Sequence, residues 1–402
     1  MVPAAPLGAT LEAFPASAVV SEAPNVRFTK IGSYHLQDST RSEQSSDKKD
    51  FLRDKPFKLT APTKVCLSIT SKCNLDCKHC LAKSGQADQD LSTRDIFRVI
   101  EELAAEKVFF VSLFGGEPFI RPDILEIVEH LSHFPIGISI NTNATLIDDE
   151  LAERLSKFKI SYVVSLDGSS AETVDGIRGK GVFDKTLRGL RALRKQGSKV
   201  LISTTVLSQN YHDLGKIAAL GKDLGVMGVR FNTVFFINNA ECYLDDILLT
   251  PQHYLYLYGE FENLKKDYGK FVSGSLLQLM ESVKSINENG RPVTSGEREL
   301  TVQPCGAAVN QCAIKPDGEV LPCVLLWNTP AGNLVQKPFK EIWDTSKTLD
   351  EFRMPFTLTE KELADCISCK YRQVCYTGHR CTPYFIPGGI GNKKLFCIKQ
   401  WL

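Results

Sequence analysis

The chain carries almost no net charge. Its 48 lysine and arginine residues face 47 aspartate and glutamate residues, which leaves a formal charge of +1 over 402 residues. Partners such as nucleic acid or an anionic membrane surface normally require a clear excess of positive charge. No apolar run reaches the ~18 residues of a membrane-spanning helix. We therefore expect neither a nucleic-acid partner nor a membrane segment.

The amino terminus lacks the pattern of a secretion signal. It begins MVPAAPLGATLEAFPASAVV, rich in alanine and proline, with no basic segment before an apolar run. Residues 1–60 also lack clear periodicity, and the polar stretch at 37–50 is typical of a linker. We interpret the chain as cytoplasmic, with residues 1–60 as an irregular extension.

Cysteine, by contrast, is abundant, with 13 residues. Because the cytoplasm keeps thiols reduced, so many cysteines are more typical of metal ligands or catalytic groups than of disulfides. Three lie at 73–80, three at 305–323 and five at 366–397, and only Cys66 and Cys242 stand apart. Core cysteines would be scattered, so this clustering favours metal binding.

Between residues 64 and 236, short β-rich segments alternate with amphipathic helical segments. Strands are predicted at 64–70, 108–114, 136–141, 160–166, 199–207 and 228–236, and helices at 92–107, 121–134, 148–158, 183–197 and 211–225. Strands joined by helices predict parallel βαβ units. We predict an α/β fold with a partial (β/α)6 TIM-like barrel over 61–270. A helical bridge and a small cysteine-rich domain follow over 271–402.

The chemically unusual residues come directly after four predicted strands. Three cysteines follow the first strand, GGEP (115–118) the second, NTNAT (141–145) the third and DG (167–168) the fourth. In a parallel α/β barrel these loops share the carboxyl-terminal face, where active sites lie. We expect the active site there. A doubly wound open sheet fits less well because of what these loops carry.

The first loop holds three cysteines, where zinc sites and iron–sulfur clusters usually need four ligands. The spacing Cys73-x3-Cys77-x2-Cys80 does not supply the paired Cys-x2-Cys units of a zinc finger. Three thiolates can hold three corners of a four-iron cluster and leave the fourth iron open for a ligand. A structural zinc site with a remote fourth ligand is the alternative.

The cysteine triplet, followed by GGEP, resembles the radical S-adenosylmethionine superfamily. The resemblance implies that the triplet holds a [4Fe–4S] cluster whose open iron is chelated by S-adenosylmethionine. Reductive cleavage then gives a 5′-deoxyadenosyl radical, which abstracts a hydrogen atom from the substrate. It further implies Asp167 as a candidate catalytic residue and a cofactor pocket that includes Gly115, Gly116, Glu117, Pro118, Asn143, Ser165 and Arg178. Taken alone, each of these residues fits an ordinary turn, strand-end cap or surface charge.

The carboxyl-terminal cysteines resemble the SPASM extension of the same superfamily. This implies two auxiliary [4Fe–4S] clusters, three clusters in all. One would be held by Cys305, Cys312, Cys323 and Cys381, and the other by Cys366, Cys369, Cys375 and Cys397. The family spacing would place one of these ligands at position 379, which is His379 in this chain. We expect Cys381, two residues later, to be the ligand instead. A structural zinc domain is the alternative for this region.

The resemblance implies radical modification of a ribosomally made peptide by crosslinking, oxidation, excision or epimerisation. It also implies an electron donor such as flavodoxin or ferredoxin. Residues 1–60 are short for the winged-helix domain that grips the leader peptide in many members, so we expect recognition by a separate leader-peptide-binding protein or by the barrel rim. Modification of a small molecule or tetrapyrrole, as in haem d1-type biosynthesis, is the runner-up. A non-catalytic electron carrier would have no use for an open iron.

Overall fold

The structure is a computed structural model that describes residues 28–31, 34–37, 58–81, 89–235, 239–289, 299–302, 305–354, 356–359 and 369–371. Residues 1–50 and 51–402 form two units. In the first unit, β1 (Phe28–Ile31) and β2 (Tyr34–Gln37) pair as an antiparallel hairpin. The sequence analysis expected no regular element there, because strands of four residues are too short to show a clear alternation.

Six parallel strands form the centre of the sheet in the second unit. They are β3 (Lys64–Ser68), β4 (Phe110–Phe114), β5 (Gly137–Thr142), β6 (Ile160–Ser165), β7 (Lys199–Val206) and β8 (Gly228–Thr233). Each strand pairs in parallel with the next one along the chain. The helices between them are α1 (Thr93–Ala105), α2 (Ile124–Ser132), α3 (Asp149–Leu155), α4 (Ala171–Arg178), α5 (Val182–Lys195) and α6 (Leu214–Asp223). The predicted α/β fold is confirmed.

The helices pack their apolar stripes against one face of this sheet. In α1 the buried residues are Ile96, Val99, Ile100 and Leu103, the spacing of a single helical face. The helix begins after Ser92, whose side chain accepts a hydrogen bond from a first-turn amide. Because alternate strand residues face opposite sides, the other face of the sheet remains available for polar side chains.

The rest of the chain continues in short elements. They are α7 (Asn239–Cys242), α8 (Leu244–Ile247), α9 (Pro251–Tyr268), β9 (Val272–Ser273), α10 (Ser275–Asn289), β10 (Glu299–Val302), β11 (Gln311–Ile314), β12 (Glu319–Leu321), β13 (Gly332–Asn333), α11 (Phe339–Thr345), α12 (Lys347–Arg353) and β14 (Phe356–Thr359). Helix α10 lies within the range 271–402 predicted for the helical bridge and the cysteine-rich domain, whereas α9 lies before it. No helix within the described ranges is long and apolar enough to cross a membrane.

The sheet extends beyond the six predicted strands. At one end β9 pairs with β8, and at the other β11 pairs in parallel with β3. Strands β12 and β13 continue from β11 as antiparallel neighbours, which gives a ten-stranded sheet, while β10 and β14 pair separately. The cysteine-rich region therefore shares the barrel's sheet. The domain limits at 60 and 270 remain predictions.

Candidate active site

Cys73, Cys77 and Cys80 lie in the loop that leaves the carboxyl end of β3. Cys77 is buried, and the other two are half-buried. The amide N–H of Leu75 donates to Cys73 Sγ at 3.4 Å, and Arg178 Nη1 lies 3.7 Å from Cys77 Sγ. Burial raises the pKa of the Cys73 and Cys77 thiols.

This loop fits an iron–sulfur cluster in its chemistry. Thiolates are the ligands that such clusters use, and a bound metal deprotonates a coordinating thiol outright. Hydrogen-bond donors directed at the sulfur atoms of Cys73 and Cys77 favour the thiolate form. The three cysteines would therefore be suitable ligands for a cluster.

The GGEP segment packs against the cysteine loop, backbone against backbone. The N–H of Gly116 donates to Thr70 O at 2.8 Å, and the N–H of Glu117 donates to Lys72 O at 2.9 Å. A Cβ on Gly116 would lie 2.0 Å from Lys72 O, and one on Gly115 would lie 2.3 Å from Thr70 O. Only glycine permits this approach. The two glycines, which the resemblance places in the cofactor pocket, thus make their close contacts with the cysteine loop.

The carboxylate of Glu117 joins the loops that follow β4 and β5. It is buried, with 1% exposure. Its Oε1 accepts hydrogen bonds from Thr142 Oγ1 at 2.7 Å and from the N–H of Phe119 at 3.2 Å. Its Oε2 accepts from the N–H of Asn143 at 2.8 Å. Burial raises the pKa of Glu117, and these donors oppose the shift. Pro118 begins the short 3-10 helix that follows.

Asn143 connects the loop after β5 to the cysteine loop. Its Nδ2 donates to Asn74 Oδ1 at 3.0 Å, and its Oδ1 accepts from Thr145 Oγ1 at 2.6 Å. Asn74 Nδ2 donates in turn to Thr145 Oγ1 at 2.8 Å. Since Asn74 directly follows Cys73, the predicted pocket residue lies beside the first cysteine.

The loop after β6 contributes a buried ion pair. Asp167 has 0% exposure. Its Oδ2 accepts from Arg178 Nε at 2.7 Å, and its Oδ1 accepts from the N–H of Thr205 at 2.8 Å. Arg178 ends α4, a helix absent from the sequence prediction because its eight residues include Gly176. The structure brings both predicted residues against Cys77.

His79 belongs to the same cluster, and sequence reasoning missed it. Its Nε2 lies 3.2 Å from Asp167 Oδ2 and 3.3 Å from Arg178 Nη2. Burial lowers the pKa of His79 to about 4, against the opposing effect of Asp167, so the ring is neutral. Its place between Cys77 and Cys80 was the available signal.

Ser165 ends β6 and belongs to a polar row on the face of the sheet opposite the buried core. Its Cα pairs with Ser203 on β7, which pairs with Arg230 on β8. Paired residues on neighbouring strands point to the same side of a sheet. Val229 and Phe231, the neighbours of Arg230, have 0% exposure and face the core. The guanidinium of Arg230 therefore lies on the opposite face from the core, two strands from Ser165.

In the carboxyl-terminal region, Cys323 lies near both Cys305 and Cys312. Burial raises the pKa of Cys323 to about 12, and the negative charge of nearby Cys305 adds to that effect. Burial also raises the pKa of Cys312, with Cys323 contributing. The N–H of Ala307 donates to Cys305 Sγ at 3.4 Å, as Leu75 does to Cys73. Cys369 is described, whereas the other predicted ligands lie outside the described residues: Cys366, Cys375, Cys381, Cys397 and the alternative His379.

Comparisons with known proteins identify the family of the two regions that carry the cysteines. A family model described as the radical SAM superfamily matches residues 67–221, and one described as SPASM, an iron–sulfur cluster-binding domain, matches residues 305–370. Among solved structures, Streptococcus suis SuiB bound to precursor peptide SuiA has a TM-score of 0.64 at 18% identity, covering 79% of this chain and 72% of that one. That likeness shows a shared fold.

Two curated relatives extend the match along most of the chain. The AdoMet-dependent heme synthase of Methanosarcina barkeri is 29% identical over 347 residues, which cover 84% of this chain and 97% of the relative. The mycofactocin maturase MftC of Mycobacterium tuberculosis is 30% identical over 333 residues, which cover 81% of this chain and 80% of the relative. The match implies a [4Fe–4S] cluster, S-adenosylmethionine and further iron–sulfur binding in the SPASM domain. The chain belongs to the radical S-adenosylmethionine superfamily and is an enzyme with a carboxyl-terminal SPASM domain.

Proposed function

We propose that this enzyme modifies a ribosomally made peptide in the cytoplasm by radical chemistry. When bound, the [4Fe–4S] cluster supplies the electron that cleaves S-adenosylmethionine to methionine and a 5′-deoxyadenosyl radical. One observation carries the proposal: the loops after β3, β4, β5 and β6 are tied together around the cysteine triplet. Fixed positions matter because a misplacement of ~1 Å can cost ~10²-fold in rate.

Different residues of the chain would hold the cluster and the cofactor. We assign Cys73, Cys77 and Cys80 to the cluster and the backbone of 115–118, with Asn143 and Ser165, to the cofactor pocket. Glu117 and Asn143 make hydrogen bonds within the protein, which supports a role in fixing the loops.

Arg178 is suited to an anionic group of S-adenosylmethionine, because guanidinium groups bind carboxylates through paired hydrogen bonds. Asp167 would orient Arg178. Both of its carboxylate oxygens accept hydrogen bonds and the residue is fully buried, which supports a positioning role more than the contact with substrate that the sequence analysis expected.

The polar face of the sheet supports a substrate that carries a carboxylate. Arg230 is exposed and has no hydrogen bond or ion pair to any residue within the described ranges. Its neighbours in the same row are Ser203 and Ser165, so the surroundings are polar. A peptide carboxylate would supply the missing anion in a bidentate pair.

Three further features belong to this proposal. The chain would bind three [4Fe–4S] clusters, because the SPASM region contains eight cysteines, enough to ligate two auxiliary clusters, with Cys381 two residues beyond the position that the family spacing gives. Fully ligated auxiliary clusters have no open iron, so we assign them to electron transfer. A flavodoxin or ferredoxin would donate the electron, and a separate protein would bind the leader peptide.

A second candidate follows from the heme synthase relative, of which the match covers 97%. Radical modification of a tetrapyrrole would use the same cluster, the same cofactor and the same Arg230, since tetrapyrroles with propionate side chains also present carboxylates. The maturase relative is 30% identical and the heme synthase relative 29% identical. Sequence identity therefore does not separate the two candidates.

The test is anaerobic and separates the candidates. The reconstituted protein is reduced with dithionite in the presence of S-adenosylmethionine, and 5′-deoxyadenosine is quantified, with Cys77→Ala as the control. Peptides encoded beside the gene and Fe-coproporphyrin III are then offered as substrates and examined by mass spectrometry. A mass change in a peptide supports the proposal, and a change only in the porphyrin supports the second candidate. Absence of 5′-deoxyadenosine with every reductant contradicts both and favours an electron carrier.

A further inference from the structure

A groove of about 540 Å³ lies between the loop after β5 and the exposed side of α5. No step of the proposed chemistry uses it. We call it the basic groove, after four cations that line it: Lys185, Arg188, Arg191 and Lys195. They follow one another at intervals of three or four residues, so they share one face of the helix.

Among the residues that the structure describes, three of the four cations in the basic groove have no ion-pair partner, and the four cations outnumber the two carboxylates that also line it, Asp148 and Asp149. Lys195 pairs with Asp149 at 3.3 Å. Lys185, Arg188 and Arg191 are exposed, and within the described part of the chain they make no hydrogen bond or ion pair. Like charges at this spacing repel one another on a helix. Carboxylates of a docked partner would relieve that repulsion.

The basic groove is connected to the cysteine triplet by one short path. Thr145 lines the groove, and its hydroxyl accepts a hydrogen bond from Asn74 Nδ2 at 2.8 Å. Asn74 is the residue after Cys73. A partner in the groove would therefore contact Thr145, which is one hydrogen bond away from the cysteine loop.

Helix α5 packs against the loop after β5, which also contains Thr145. Thr186 Oγ1 donates to Asn143 O at 3.0 Å. A Cβ on Gly189 would lie 2.1 Å from Ala144 O, so the helix backbone touches the loop backbone. The helix that carries the cations therefore packs directly on the loop after β5, which is hydrogen-bonded to the cysteine loop.

We propose that the basic groove is the docking surface for an acidic electron-carrier protein that reduces the [4Fe–4S] cluster. The inference rests on the proposed function, which consumes one electron for each S-adenosylmethionine cleaved. The carrier is oxidised by one electron and the cluster is reduced by one. An electron carrier is favoured over an acidic leader peptide because electron transfer requires proximity to the cluster, and the groove provides it. Complementary charge would steer the encounter.

The experiment compares two reductants on the reconstituted holoenzyme. 5′-Deoxyadenosine formation is driven either by flavodoxin, kept reduced by its reductase and NADPH, or by dithionite, which needs no docking surface. Flavodoxin affinity is measured separately by calorimetry. The test variant is Lys185→Glu/Arg188→Glu/Arg191→Glu. The control is Lys216→Glu/Lys266→Glu/Lys270→Glu, which changes the charge equally at three other exposed lysines.

In the groove variant we expect the flavodoxin-driven rate and the affinity for flavodoxin to fall at least ~10-fold, since steering by charge is worth ~10- to 10³-fold in association rate. The dithionite-driven rate should be unchanged, and the control variant should behave as wild type. Added salt should slow the flavodoxin reaction of the wild type and have little effect on that of the groove variant.

Unchanged flavodoxin affinity and rate in the groove variant would overturn the inference. So would loss of peptide binding with normal reduction by flavodoxin, which would assign the groove to the peptide. If the groove variant also fails with dithionite, the affinity of the triple alanine variant Lys185→Ala/Arg188→Ala/Arg191→Ala for flavodoxin decides. An affinity weaker than that of the wild type supports the inference, and an equal affinity overturns it. Failure of the wild type with both reductants would contradict the proposed function instead.

Discussion

Replacing Gly116 with alanine should displace the cysteine loop. The new Cβ would lie 2.0 Å from Lys72 O, 2.4 Å from Lys72 C and 2.9 Å from Cys73 N. All three are backbone atoms, so no side chain can rotate away to make room. To reach an ordinary contact of 3.4 Å, the carbonyl of Lys72 must move by about 1.4 Å.

The energetic cost has two parts. Overpacking a tight contact costs roughly 1–3 kcal/mol. The shift also strains the hydrogen bonds from Gly116 N–H to Thr70 O and from Glu117 N–H to Lys72 O, each worth about 0.5–1.5 kcal/mol net. Moving the loop is cheaper than unfolding the domain, so we expect a folded protein whose first cluster site is distorted. A displacement of ~1 Å at a reacting centre can reduce the rate ~10²-fold.

The assay is iron content after anaerobic reconstitution, followed by 5′-deoxyadenosine formation with dithionite. Gly116→Ala should retain less iron than the wild type after reconstitution and cleave S-adenosylmethionine ~10²-fold more slowly. The matched control is Gly215→Ala in α6, where a Cβ meets no atom within 4 Å; alanine there should be neutral or stabilising by up to ~1 kcal/mol. Wild-type iron content and rate in Gly116→Ala would refute the claim that this backbone contact fixes the loop.

Alanine at any one cysteine of the first loop should abolish 5′-deoxyadenosine formation and leave about eight of about twelve irons bound, as iron analysis will show; loss of all iron would contradict independent sites. Asp167→Asn leaves the buried Arg178 without its ion-pair partner, which should lower the unfolding free energy in urea by about 3–5 kcal/mol; an unchanged unfolding curve would contradict the buried pair. The hydrogen bond from Arg121 holds the pKa of Asp123 below its usual range. Its stabilising contribution is therefore present at neutral pH and is lost as the pH falls through the folded-state pKa. Wild type and Asp123→Asn should differ in thermal stability at neutral pH and converge in acid, and a constant difference would argue against this. Arg230→Gln should raise the KM of the accepted substrate ~10-fold or more, as expected for a lost charged hydrogen bond, with Arg230→Lys as a partial rescue; an unchanged KM would exclude a carboxylate contact there.

The central sheet could be predicted from the sequence because its signal is local. Apolar, β-branched runs alternate with helical stripes, and each predicted strand is found within a few residues. The chemistry of the first loop was equally local, since three cysteines and the GGEP segment stand next to strand ends. The convergence of these loops then follows from the rule that parallel strands share a carboxyl end.

Contacts between distant segments could not be predicted in the same way. The pairing of β11 with β3 joins residues about 250 positions apart and leaves no periodic trace in either strand. The role of Glu117 depends on donors from the next strand's loop, which sequence spacing does not identify. His79 carried a signal, but its partners Asp167 and Arg178 follow only from the fold.

The most direct test of the account is Mössbauer spectroscopy of protein reconstituted with ⁵⁷Fe, with and without S-adenosylmethionine. If Cys73, Cys77 and Cys80 leave one iron open, one iron site should change its parameters when the cofactor is added, and Cys77→Ala should abolish that change. Spectra that stay the same on addition of S-adenosylmethionine, or zinc at these three cysteines in oxygen-free preparations, would contradict it.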